Sequence, residues 1–215
     1  MQLKYIFWSK MTIFESLTTD LDWRESELGS LRILLSRNDI SKKQKEVLLR
    51  AAWAMLYAHY EGFSKFCLTV FYDEASKRMS DCEALPPRTK ALALDKQLKR
   101  LKSLPSLEML YEMEAITDQV KALKPDFPEV DTKSNLWPSV MNDLLLDADI
   151  IIDALSLHSA KLKTLVARRN GIAHGQKNFI DEVDYYFTYE NAVYDVLYHL
   201  AYSVDDRLTK APYGD

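Results

Sequence analysis

The sequence predicts an all-α protein organised as a four-helix bundle, and three observations carry that expectation. Only 5 Gly and 7 Pro occur in 215 residues, too little punctuation for a turn-rich β fold. Apolar residues recur three, four or seven apart along several long stretches, the spacing of one helical face. Pro86, Pro87, Pro105, Pro125, Pro128 and Pro138 gather the helix breaks into one middle section.

The first long helix spans about residues 12–36, with Ile13, Phe14, Leu17, Leu21, Leu28, Leu31 and Leu35 on its stripe. The tetrapeptide NDIS at 38–41 then breaks the chain, and Ser41 supplies a capping hydroxyl for a second helix. That helix runs from about Lys42 to Met79. Its centre, AAWAMLYA from Ala51 to Ala58, is apolar on every side and predicts a helix through the middle of the domain. Residues 80–139 form an insertion or cap within a single domain spanning 1–215, with weak helices near 89–102, 106–114 and 115–123. A third long helix covers about 140–174, with a break expected near Asp147. Ile151, Leu155, Leu162, Leu165, Val166 and Ile172 face inward, and Gly175 is placed to end it in a left-handed conformation. The last helix is expected over about 189–208, followed by a fraying tail, KAPYGD.

Hydrophobic residues make up 47% and charged residues 28%, an ordinary soluble balance with no internal repeat. A net charge of −4 makes the whole chain a poor attractor of nucleic acid, so any RNA site must be a local basic patch. Cys67 and Cys82 match neither a disulfide framework nor a zinc-ligand spacing, and a reducing cytoplasm is the expected setting. The opening MQLKYIFWSKM lacks the apolar core of a signal peptide, and no stretch reaches the roughly 20 apolar residues needed to cross a membrane. No cofactor motif is present.

Chemistry concentrates where the third helix ends, in TLVARRNGIAHGQ. Asn170 and His174 are four apart and lie nearly above one another, while Arg169 sits one step round the helix. The three are expected to address one small volume. Gly171 inside a helix costs about 1 kcal/mol relative to Ala, which points to a close approach by a backbone or ligand.

The segment RNGIAH resembles the Arg-(four to six)-His signature of the HEPN superfamily, with Arg169 and His174 at the matching positions. On the second helix, RAAWAMLYAHYEGFSKF from Arg50 to Phe66 is similar to a stretch of the RiboL-PSP and MAE-type HEPN families. The resemblance implies metal-independent RNA cleavage. In that reaction the ribose 2′-hydroxyl attacks the adjacent phosphate, leaving a cyclic phosphate and a 5′-hydroxyl. It also implies catalysis by Arg169 and His174, an active cleft completed by a homodimer, and a role as toxin or effector beside an antitoxin or defence-system partner. The residue types suit this chemistry, because a histidine can serve as general acid or base and an arginine can hold phosphate oxygens bidentately.

Asn170 is expected to orient His174, and Glu61 either pairs with Arg169 or His174 or is exposed or paired elsewhere. Lys161, Lys163, Arg168 and Lys177 flank the motif as possible RNA contacts or as solvated charges. His59 reads as a hydrogen-bonded core histidine. His158, His199 and Asp195 are too few for a metal site, so none is expected. The six basic residues of RTKALALDKQLKRLK read first as a solvated face, and Tyr185, Tyr186, Phe187 and Tyr189 first as packing. A second reading of the same surface is a non-catalytic module that binds RNA, a nucleotide or a protein.

Overall fold

The computed structural model describes residues 12–177 and 182–214, which hold nine helices and no strand. The opening MQLKYIFWSKM, considered above, lies outside these residues. Helix α1 (Ile13–Leu35) begins with a capping box in which Thr12 and Glu15 satisfy each other's backbone N–H groups. Helix α2 (Lys42–Arg78) starts the same way on Ser41 and Gln44. The middle section gives α3 (Pro87–Ala93), α4 (Asp95–Lys102) and α5 (Ser106–Ala122). Then follow α6 (Pro138–Asp147), α7 (Asp153–Leu157), α8 (Ser159–Ala173) and α9 (Val183–Thr209).

Helix α2 is the axis of the molecule, with α1, α8 and α9 packed around it. It buries Trp53, Leu56, Tyr57, Tyr60, Phe63, Cys67, Leu68 and Phe71. Ala51 and Ala58 reach the surface, so the central stretch is not enclosed on every side as its composition suggested. Leu85, Ala93, Leu94, Val130 and Leu136, from the proline-rich section, join the same core. Both cysteines are buried and free, and no helix among the described residues is long and apolar enough to cross a membrane.

The third long stretch is three helices rather than one: the break expected near Asp147 is where α6 ends, and a second, unexpected one falls at His158. Asp149 takes a left-handed conformation (φ 57°), and the Ile150 N–H returns to the Leu145 carbonyl at 2.9 Å, which closes α6 as a Schellman turn does. The chain then runs extended, so Ile150 and Ile152 point inward while Ile151, expected inside, is 80% exposed. Helix α5 is continuous where two short helices were expected. Helix α9 begins six residues early, because Tyr186 and Tyr189 extend its buried stripe. The tail is also anchored: Tyr213 is buried edge-on against Phe71, with Arg207 4.6 Å from its ring centre.

A polar cluster holds α1 to α2. Arg24 Nε lies 2.6 Å from Asp20, and Arg24 Nη1 is 3.5 Å from His59 Nδ1. His59 Nε2 lies 2.8 Å from Glu27 Oε2, outside the angles of a good hydrogen bond. His59 is thus the buried core histidine that its setting predicted. Gly62 makes room, since a Cβ there would come within 3.0 Å of Arg24 Nη1. On the other side, Arg32 of α1 reaches Glu190 of α9 through Nε and Nη2 at 3.1 and 2.8 Å. Burial raises the Glu190 carboxyl against the opposing pull of Arg32.

Candidate active site at the seam of helices α2 and α8

Arg169 pairs with Tyr57 and Gln176 with Arg50, so α8 descends antiparallel along α2. Arg50, Trp53, Tyr57 and Glu61 follow one another at helical spacing and present one stripe to this seam. The adjacent arginines of α8 land on successive rings of it. Arg168 lies 4.7 Å from the centre of Trp53, and Arg169 lies 3.7 Å from the centre of Tyr57. Arginine suits such positions because its planar guanidinium stacks on aromatic faces while its N–H edge stays available.

A loop from the proline-rich section closes one side. Lys133 and Ser134 both adopt left-handed conformations (φ 55° and 65°), turning Asn135 and Leu136 toward the seam. Arg169 Nη2 donates to Asn135 Oδ1 at 2.7 Å, and the Leu136 N–H donates to the Tyr57 hydroxyl at 2.8 Å. Burial pushes the Tyr57 phenol up; the Leu136 N–H opposes this, Glu61 adds to it, and Arg169 lowers it slightly. Asn135 and Tyr57 were not among the residues singled out by sequence. The stripe on α2 carried a signal for Tyr57, whereas nothing local marked Asn135.

The C-terminal end of α8 is closed by Gly175 at φ +73°, as its position predicted. The Gln176 N–H bonds the Gly171 carbonyl at 2.8 Å and the Gly175 N–H bonds Ile172 at 3.1 Å, the two bonds of a Schellman motif. His174 is the helix cap, exposed, with its own N–H on the Asn170 carbonyl at 3.0 Å. Arg50 Nη1 donates to the Gln176 carbonyl at 2.8 Å, tying this end to α2.

Two expectations are corrected by this geometry. Arg169, Asn170 and His174 do not converge, because Arg169 turns inward to Tyr57 while His174 stands at the surface. The Asn170 side chain makes no hydrogen bond to His174 among the described residues; the link between them is the backbone bond. Of the two alternatives for Glu61 the structure takes the second: it forms no ion pair with Arg169 or His174 and acts on the Tyr57 hydroxyl. Lys161 donates to the Thr188 carbonyl at 3.0 Å, and Lys163 and Lys177 are exposed.

The charge distribution singles this seam out. Seven of the ten arginines, Arg24, Arg32, Arg37, Arg78, Arg88, Arg100 and Arg207, each pair with a carboxylate. Arg50, Arg168 and Arg169 pair with none among the described residues. Arg169 also has a buried Nε with no hydrogen-bond partner among them. Three guanidinium groups without counter-ions thus lie along one seam of an acidic protein. By contrast, the basic run of α3 and α4 is largely neutralised by Asp147, Asp126, Asp95 and Glu112. His158 and His199 share Asp195, at 2.8 and 3.4 Å.

A core of α1, α2, α8 and α9, with an Arg-to-His motif at the end of α8, defines a HEPN-type helical domain. The chain belongs to the HEPN_MAE_28990-like HEPN family, which it matches over residues 13–213. No curated protein and no solved structure matches it. The family points to a nuclease-like or RNA-related function.

Proposed function

We propose that the protein is a metal-independent endoribonuclease, with Arg169 and His174 as its catalytic residues. The observation that carries this reading is the trio Arg50, Arg168 and Arg169, free of carboxylates among the described residues, on the seam whose α8 end carries the exposed His174. The 2′-oxygen bonds to phosphorus as the bond to the 5′-oxygen breaks. One group takes the 2′ proton and another protonates the departing oxygen. Arginine charge stabilises the phosphorane-like transition state, with Arg169 prepositioned by Tyr57 and Asn135. Asn170 and Glu61 support the site indirectly, through the backbone at His174 and through Tyr57. Lys161, Lys163 and Lys177 extend the positive field along the RNA.

One chain offers one histidine in this region, so a homodimer with His174 from both copies facing one cleft would supply the acid and base. The biological setting that fits is a toxin or effector of a prokaryotic defence or toxin–antitoxin system, held by an antitoxin or defence-system partner in the cytoplasm. Purified protein in excess EDTA should cleave RNA to cyclic-phosphate and 5′-hydroxyl ends, and His174→Ala should lose this activity. Equal cleavage by both proteins would sink the site, and sensitivity to EDTA would sink metal independence. The non-catalytic reading has one observation in its favour: among the described residues the His174 side chain has no partner to orient it. It predicts RNA binding without cleavage, and no growth defect that His174→Ala relieves.

A further inference from the structure

Tyr186 and Tyr189 lie in the core, but Tyr185 beside them remains 40% exposed. Its ring is nevertheless held in place. Its hydroxyl bonds that of Tyr189, and Tyr189 packs edge-on against Trp53 at 4.7 Å between centres. The Arg168 guanidinium lies 4.7 and 5.2 Å from the centres of Trp53 and Tyr185, whose rings are themselves 6.4 Å apart, so it caps the pair. Its N–H edge also acts on the Tyr185 hydroxyl, and no carboxylate among the described residues pairs with it. Lys161 donates one of its three protons to the Thr188 carbonyl, one turn along from Tyr185, and its charge acts on the Tyr185 hydroxyl. A fixed, half-exposed aromatic ring edged by two cations is thus built one residue from Arg169.

We infer that Tyr185, Arg168 and Lys161 form a nucleotide subsite beside the RNGIAH motif, where an unpaired RNA base stacks on Tyr185 and its phosphate meets Arg168 and Lys161. The inference rests on the ribonuclease reading and names its substrate as single-stranded RNA. A base inside a duplex has both faces covered, so only an unstacked nucleotide can lie on the ring. Because the ring is already immobilised by Tyr189 and Arg168, little side-chain freedom is lost on binding. A purely structural arginine at this position would gain from a carboxylate, as the seven paired arginines do.

The test uses a short single-stranded RNA that is fully 2′-O-methylated, and so cannot be cleaved, with 2-aminopurine replacing one base. Wild-type protein should bind it and quench its fluorescence. Tyr185→Ala should lose the quench and bind roughly five- to a hundredfold more weakly, the range for one stacked base. Tyr185→Phe should restore both, and Tyr202→Ala, which removes another exposed tyrosine of the same helix, should change neither. Lys161→Gln, an exposed-side change that keeps the helix, should weaken binding and lower the salt slope by about one phosphate contact. Wild-type affinity and quench in Tyr185→Ala, with RNA cleavage intact, would overturn the subsite and leave the ribonuclease reading standing. Binding of a matched duplex as tight as that of the single strand would do the same. A wild-type protein that neither binds nor cleaves RNA would overturn both.

Discussion

The guanidinium of Arg169 sits 3.7 Å from the centre of the Tyr57 ring, and its Nη2 is held by Asn135. That contact brings together the two sequence segments resembling HEPN families, which lie about a hundred residues apart. It also makes the choice of arginine specific, since a lysine ammonium has neither the planar face nor the fork. Arg169→Lys should therefore lower single-turnover RNA cleavage by about 10²-fold or more, the scale for removing one prepositioned donor. Thermal stability should change little by comparison. Cleavage within threefold of wild type would show that a point charge suffices.

Asn135→Ala should reduce cleavage while leaving RNA affinity nearly intact, because Arg169 would keep its charge and lose its fixed orientation. The stability loss should be about 1 kcal/mol, the net contribution of a typical hydrogen bond. Denaturant titration beside a cleavage assay separates the two effects. An affinity loss as large as the rate loss would contradict a positioning role.

Tyr57→Phe keeps the ring under Arg169 and removes the acceptor of the buried Leu136 N–H. It should destabilise the protein by about 1–3 kcal/mol, the cost of an unsatisfied buried donor. The melting temperature should drop, and activity at low temperature should survive better than in Asn135→Ala.

The His59 imidazole is lowered chiefly by burial, with Glu27 opposing and Arg24 reinforcing the shift. Its Nδ1 faces an Arg24 N–H, the arrangement of a neutral ring accepting a hydrogen bond. A histidine whose folded pKa lies below its unfolded value binds protons more readily when unfolded, so stability falls as pH drops. The loss should begin near the ordinary value of 6.5 and level off below the lowered one. His59→Gln should flatten this part of the stability-against-pH curve. An unchanged slope would place the titration elsewhere.

Gly175→Ala tests the end of α8. A Cβ at this position would meet nothing within 4 Å, so the cost of the change is conformational, about 1–2 kcal/mol for a left-handed alanine. A displaced His174 should also lower cleavage beyond what the lost stability accounts for, measured well below the melting transition.

The elements legible in the sequence were those whose causes are local. Ser41 and Gly175 announce helix ends through side-chain chemistry or permitted backbone angles, and the stripe of α2 follows from periodicity. Asp149 was not legible, since a left-handed aspartate looks in sequence like any helical surface acid; Ile151 was misplaced with it, whereas Leu155, Leu162, Leu165 and Val166 are buried as their spacing predicts. The early start of α9 was available in the spacing of Tyr186, Tyr189 and Val193, but aromatic density masked the period. RNGIAH was visible as a motif, whereas the inward turn of Arg169 depends on Asn135, brought in from 34 residues away.

The Arg50 bond to the Gln176 carbonyl has a mechanical consequence for His174. The histidine rides on a short arc pinned at Asn170 by the helix and at Gln176 by a neighbouring helix. Its ring can pivot about its own bonds, but the backbone it pivots from is hydrogen-bonded on both sides. Chain added after Lys177 should therefore act like slack let out beyond a cleat: it lengthens the connection to α9 without shifting the imidazole.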